Sequence, residues 1–162
     1  MQRTRALALA LPLTAYVFLW CVSLSWAESL PDPLATQWGS EGVIGTTSVT
    51  AFYSTFLAAA VIPAAIGVLA STTAVLNARR LCTGLAVSLS LTVGGLLTAV
   101  TAAQRNLADA RFATLNPALA LGISALGIGA GMAVGFLADR RPPAQTEDPR
   151  TSYERRWQSQ EI

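Results

Sequence analysis

Histidine and lysine are both absent from this 162-residue chain, and charge of either sign is scarce. Without His, the commonest general base and the commonest metal ligand are gone. All eleven basic residues are therefore Arg, which reads as the compositional bias of a GC-rich bacterial genome and not as chemistry. A net charge of +2 is too small to point to nucleic acid as a partner. Charged residues make up 12% of the chain, about half the share of a soluble domain. A water-soluble protein this short has too much surface to cover with so few charges. The only cysteines, Cys21 and Cys82, read as apolar buried thiols.

What is present is apolar, at 52% of residues, and it is gathered into long charge-free stretches. About 20 apolar residues in helical form cross a hydrocarbon core. Four stretches qualify: residues 6–27, 49–76, 81–103 and 117–138. Backbone satisfaction in lipid makes each of them helical. The expected fold is therefore all-α, an integral membrane four-helix bundle occupying residues 1–138. Loops 28–48 and 104–116 lie on one side, and a polar tail, residues 139–162, on the other. The alternative for the first stretch is a cleaved signal peptide, given Arg3, Arg5 and Ser25-Trp26-Ala27. Its apolar run exceeds the usual signal core of about 7–15 residues, which favours retention. Trp20 and Trp26 read as interface anchors at its far end.

Arginine placement sets the orientation. Arg3, Arg5, Arg79, Arg80, Arg140 and Arg141 mark alternate ends of the spans, and Arg150, Arg155 and Arg156 follow in the tail. Only Arg105 and Arg111 fall on the opposite side, and loop 28–48 has no basic residue. Both termini are thus expected in the cytoplasm, N-in/C-in, with Cys21 and Cys82 near opposite faces and too far apart for a disulfide. Asn116-Pro117 is a cap followed by proline at the first helical position. Thr46-Thr47-Ser48 supplies cap candidates for the second helix. The i,i+4 spacing of Arg105 and Asp109 suggests a third helix that continues past the membrane surface. Pro63 should kink the second span near Ala59, whose carbonyl loses its donor.

Lipid removes the hydrophobic drive between helices, so small residues that allow close approach gain weight. Gly127, Gly131 and Gly135 form a bare ridge on the fourth span. On the third span, Gly84, Ser88 and Thr92 share one face, and Ser90 and Gly94 another. The ridge serves either packing within the chain or a homodimer seam; the motif alone does not separate them.

The chemical inventory is thin. No span carries an ionisable residue of the kind that proton-coupled carriers place at membrane depth. There is no His-Cys cluster, no P-loop and no nucleotide-binding glycine fingerprint. The carboxylate pairs Glu28/Asp32 and Glu147/Asp148 read as solvated surface. No enzyme, no cofactor and no metal site is expected.

The most distinctive segment runs from Ser29 to Val43. Pro31 and Pro33 stiffen its start, and Gly39, Gly42 and Gly45 permit tight turns around Trp38. It caps the bundle at the interface or presents a partner-binding loop. The order of a first apolar helix, Leu30-Pro31, a short spacer, Gln37-Trp38-Gly39, then Gly42 and a second span resembles a bacterial membrane domain of unknown function. That domain also forms the N-terminal part of SdpI-like immunity and signalling proteins. The resemblance covers about residues 6–76. Gln37 stands where the family usually has His. It implies a multi-pass protein of the bacterial cell (inner) membrane with an immunity-like, sensory or accessory role and no catalysis. Candidate contact residues are Leu30, Pro31, Gln37, Trp38, Gly39 and Gly42. Expected partners are the lipid bilayer and a second membrane protein or second copy. A small oligomeric transporter or channel component is the alternative, motivated by the glycine ridge and Pro63. The tail, residues 139–162, reads as a disordered, solvated, topology-setting segment; the alternatives are that Tyr153 to Trp157 rests on the anionic inner leaflet or binds a cytoplasmic partner.

Overall fold

The structure, a computed structural model, describes residues 2–137, with side chains from Ala10 onward. The tail readings, including Asp139 and Tyr153 to Trp157, lie outside the described residues.

The fold is mostly helical, with one small sheet. α1 covers Gln2–Leu24, and a 3-10 turn follows at Ala27–Ser29. An antiparallel hairpin comes next, β1 (Leu34–Gly39) and β2 (Gly42–Thr47). Then come α2 (Val49–Ala59), α3 (Val61–Thr72), α4 (Leu76–Ala102), a second 3-10 turn at Ala110–Phe112, and α5 (Pro117–Leu137). Among the described residues, three helical stretches are long and apolar enough to cross a membrane: Val49–Thr72, Leu76–Ala102 and Pro117–Leu137. Ala10–Leu24 is a shorter apolar stretch.

Local chemistry explains the boundaries. Ser48 caps α2, its Oγ accepting from the Ala51 amide at 3.2 Å. Asn116 caps α5, its Oδ1 accepting from the Ala118 amide at 2.9 Å. The second span breaks at Ala60, three residues before Pro63, because proline offers no N–H to the Ala59 carbonyl. The Ala60 amide turns back to the Leu57 carbonyl at 3.2 Å, away from its i−4 acceptor, Phe56. The Tyr16 hydroxyl donates to the diverted Phe56 carbonyl. In return, the Tyr53 hydroxyl donates to the Ser23 carbonyl at 2.7 Å. Two reciprocal tyrosines thus lash α1 to α2.

Helix ends do not coincide with the edges of the apolar stretches. α3 stops at Thr72, where Thr73 turns extended. α4 starts at Leu76, so Arg79 and Arg80 belong to its first turns. Charge-free length measures how much chain suits hydrocarbon; hydrogen-bonded caps decide where a helix stops. The third helix does not continue through Arg105 and Asp109. It ends at Ala102, and Asn106 takes a left-handed conformation (φ 59°) that stops any further turn. Asp109 instead caps the following 3-10 turn, accepting from the Arg111 amide at 2.8 Å.

α4 is the central helix, and α1, α3 and α5 all pack on it. α1 and α3 also meet each other, whereas α5 rests almost entirely on α4. The arrangement is thus a three-helix core with a fourth helix laid along one side, not a closed four-helix bundle. The faces of α4 divide the work. Gly94 receives Leu19 of α1, and Ser23 Oγ reaches Thr98 Oγ1 at 3.2 Å. The opposite face, Gly84, Ser88 and Thr92, receives α5. Leu34, Phe52, Tyr53 and Leu97 form the main apolar cluster at the hairpin end, with Trp20 and Leu30 against it. Trp20 packs into this cluster, set edge-on to Tyr53 (6.4 Å between centroids).

Candidate functional site

The segment expected to supply only tight turns is an ordered hairpin. Gly39 pairs with Gly42 across a two-residue turn, Ser40-Glu41, and Gly42 adopts φ +119°. That conformation strains any residue with a Cβ. The pairing skips Thr36 on β1 and Ile44 on β2. Such irregularities re-aim side chains, and Ile44 is left 70% exposed. Gly45 has a separate reason to be glycine. The Gln37 side chain lies across it, and a Cβ there would fall 2.9 Å from Gln37 Oε1.

One side chain joins the hairpin to the helices. Gln104, two residues beyond α4, is fully buried. Its Oε1 accepts from the Ala35 amide at 2.7 Å, and its Nε2 donates to the Ala35 carbonyl at 3.0 Å. The same Nε2 also donates to the Val100 carbonyl at 3.1 Å. The primary amide imitates one residue of a neighbouring strand and satisfies both backbone groups of buried Ala35. Trp38 adds a second link, its Nε1 donating to the Ala113 carbonyl at 3.0 Å. A third is the Asn106 amide, which donates to the Ser29 carbonyl at 2.8 Å. Between these polar links sits a small apolar core of Ala35, Ala110 and Ala113, flanked by Trp38, Val43 and Leu107. Hairpin and 104–113 loop therefore form one cap.

The expected contact residues separate into two groups. Leu30 is half-buried and packs toward the main apolar cluster, and Pro31 is buried at the base of the hairpin. Trp38 is half-buried, with its polar edge consumed by Ala113. Gln37 and Gly39 are exposed, and Gly42 shapes the turn. The accessible surface of the cap also holds residues that sequence reading missed: Ile44, Glu41 at the turn, and Phe112, which is 75% exposed. The run of β-branched Val43, Ile44, Thr46 and Thr47 was the available sign of a strand. Nothing in the sequence pairs Gln104 with Ala35. Arg105, read as an outer-loop charge, sits over the Trp26 ring at 5.1 Å.

The second candidate group, Gly127, Gly131 and Gly135, is buried against α4. A Cβ on Gly135 would fall 2.7 Å from the Arg80 carbonyl, and one on Gly84 would fall 2.8 Å from the Gly131 carbonyl. The ridge that suggested either internal packing or a dimer seam is occupied within the chain. Gly122 and Gly129, by contrast, face open space.

No family model, no curated protein and no solved structure matches the chain.

Proposed function

We propose that this is a four-span protein of the bacterial cell membrane, with both ends in the cytoplasm and the hairpin cap outside. Its role on this reading is non-enzymatic: an immunity-like, sensory or accessory subunit that meets its partner through the cap. Large apolar side chains exposed on the helices support the membrane reading. They include Leu57, Val61, Ile62, Leu69, Leu81, Leu121, Leu126 and Phe136. Water would penalise such a belt, whereas lipid solvates it.

The observation that carries the functional reading is the Gln104 clamp. A loop needed only to connect two spans has no use for a buried side chain that satisfies both amide groups of one strand residue. A rigid platform does, because a preordered surface loses less entropy when it binds. The platform presents Gln37, Glu41 and Ile44 outward, a mixture of amide, charge and apolar surface suited to a protein contact.

Two measurements test this. Ser40→Cys at the exposed turn should react in intact cells with a membrane-impermeant maleimide. Labelling only after permeabilisation would reverse the orientation. A photo-crosslinking residue at Ile44 should trap a discrete species in native membranes, and Gln37→Ala with Glu41→Ala should weaken its capture. A crosslinker that finds lipid alone would remove the recognition role.

A further inference from the structure

Close approach of α4 and α5 leaves a groove at the end of the helices that carries Arg80. Gly84 and Gly135, whose missing side chains let the two helix backbones touch, lie in its lining. Leu85, Ile128 and Met132 form its walls, and Arg80 and Asn77 stand at one end. The cavity measures about 570 Å³, within the range of about 300–1,000 Å³ typical of small-molecule sites. Leu85 and Met132 are half-exposed at its rim, so the groove opens sideways toward the surroundings of the helices. Apolar walls with a cation at a single end describe an amphiphile: a long apolar part and an anionic head.

We propose that this groove is a binding site for one anionic glycerophospholipid of the inner leaflet. An acyl chain lies along Leu85, Ile128 and Met132, and the phosphate meets Arg80 with help from the Asn77 amide. The guanidinium offers five N–H donors in a fork that matches phosphate oxygens, so it can serve several acceptors at once. Orientation fits as well. Arg80 lies just outside the charge-free stretch that begins at Leu81, at headgroup depth on the arginine-rich side. The inference rests on the membrane reading above.

The test uses the full chain purified in mild detergent and offered phosphatidylglycerol or phosphatidylcholine with identical acyl chains. Native mass spectrometry then counts retained lipid. One phosphatidylglycerol should be held in preference to phosphatidylcholine. Arg80→Gln should reduce that preference about five-fold, the equivalent of roughly 1 kcal/mol for one surface arginine. Met132→Trp keeps every charge but fills the groove, and it should shed both lipids while leaving the helical signal and thermal midpoint unchanged. Equal retention of the two lipids would overturn the proposal, as would a Met132→Trp variant that binds like the parent. A chain that stays dispersed without detergent would instead overturn the membrane reading itself.

Discussion

Replacing Gln104 with Leu isolates the device that fixes the cap. Leucine keeps approximate volume and apolarity but offers neither donor nor acceptor. The Ala35 amide and carbonyl, both in a fully buried residue, would lose their Gln104 partners. A buried unsatisfied backbone group costs about 1–3 kcal/mol, so the pair together cost about 2–5 kcal/mol once some water enters. That energy falls on local opening of the hairpin, because the helices below keep their own contacts. Hydrogen exchange of β1 and β2 amides should accelerate roughly 30- to several-thousand-fold, at 1.4 kcal/mol per decade. Amides in the middle of α4 and α5 should be unaffected. Gln104→Glu sharpens the test. Its second oxygen would face the Ala35 and Val100 carbonyls, where the glutamine had a donor. Burial and these oxygens disfavour the charged form and raise the carboxyl pKa in the folded state. The protonated acid restores a donor, so the variant's cap should be firm at low pH and loosen as pH rises through that raised pKa. Hairpin exchange in Gln104→Leu within about threefold of the parent would refute the clamp argument. That threshold corresponds to less than about 0.7 kcal/mol.

The remaining predictions concern the helices and the cap's second link. Tyr16→Phe removes the donor to the diverted Phe56 carbonyl and should cost about 0.5–1.5 kcal/mol in detergent unfolding. Tyr53→Phe should cost less, because the Ser23 carbonyl still accepts from the Trp26 amide at 3.1 Å; the reverse order would contradict the reciprocal-tyrosine account. Gly135→Ala must displace the Arg80 backbone and should destabilise by about 1–3 kcal/mol. Gly129→Ala meets nothing and should be neutral or stabilising by up to about 1 kcal/mol. Equal thermal shifts for the two would argue against the α4–α5 contact. Trp38→Phe loses the bond to the Ala113 carbonyl and should speed proteolysis at the 104–113 loop while leaving helix content unchanged.

Particular residues show how far the sequence could be read. Pro63 announced the break in the second span, since a missing N–H acts within one turn whatever surrounds it. Asn116 announced the start of α5 in the same way. The hairpin was hidden because Pro31, Pro33 and three glycines resemble a loop. Its strand character also depends on partners, and one of them is a side chain 69 residues away. The split of the expected contact residues was hidden for the same reason. Leu30 turns inward because Leu34, Phe52 and Leu97 gather beside it.

By itself, the amino-acid order determined which segments are apolar and uncharged, where α2 and α5 begin, that the second span breaks before Pro63, and which helix carries a bare ridge. Those properties are short-range: composition, caps, a missing donor, an absent side chain. Tertiary structure alone decided what the ridge packs against, that α5 leans on α4 and not on a closed bundle, and that Gln104 makes a loop into a platform. Each of these depends on groups distant in sequence satisfying one another's hydrogen bonds and filling one another's gaps, and chain order does not encode such pairings locally.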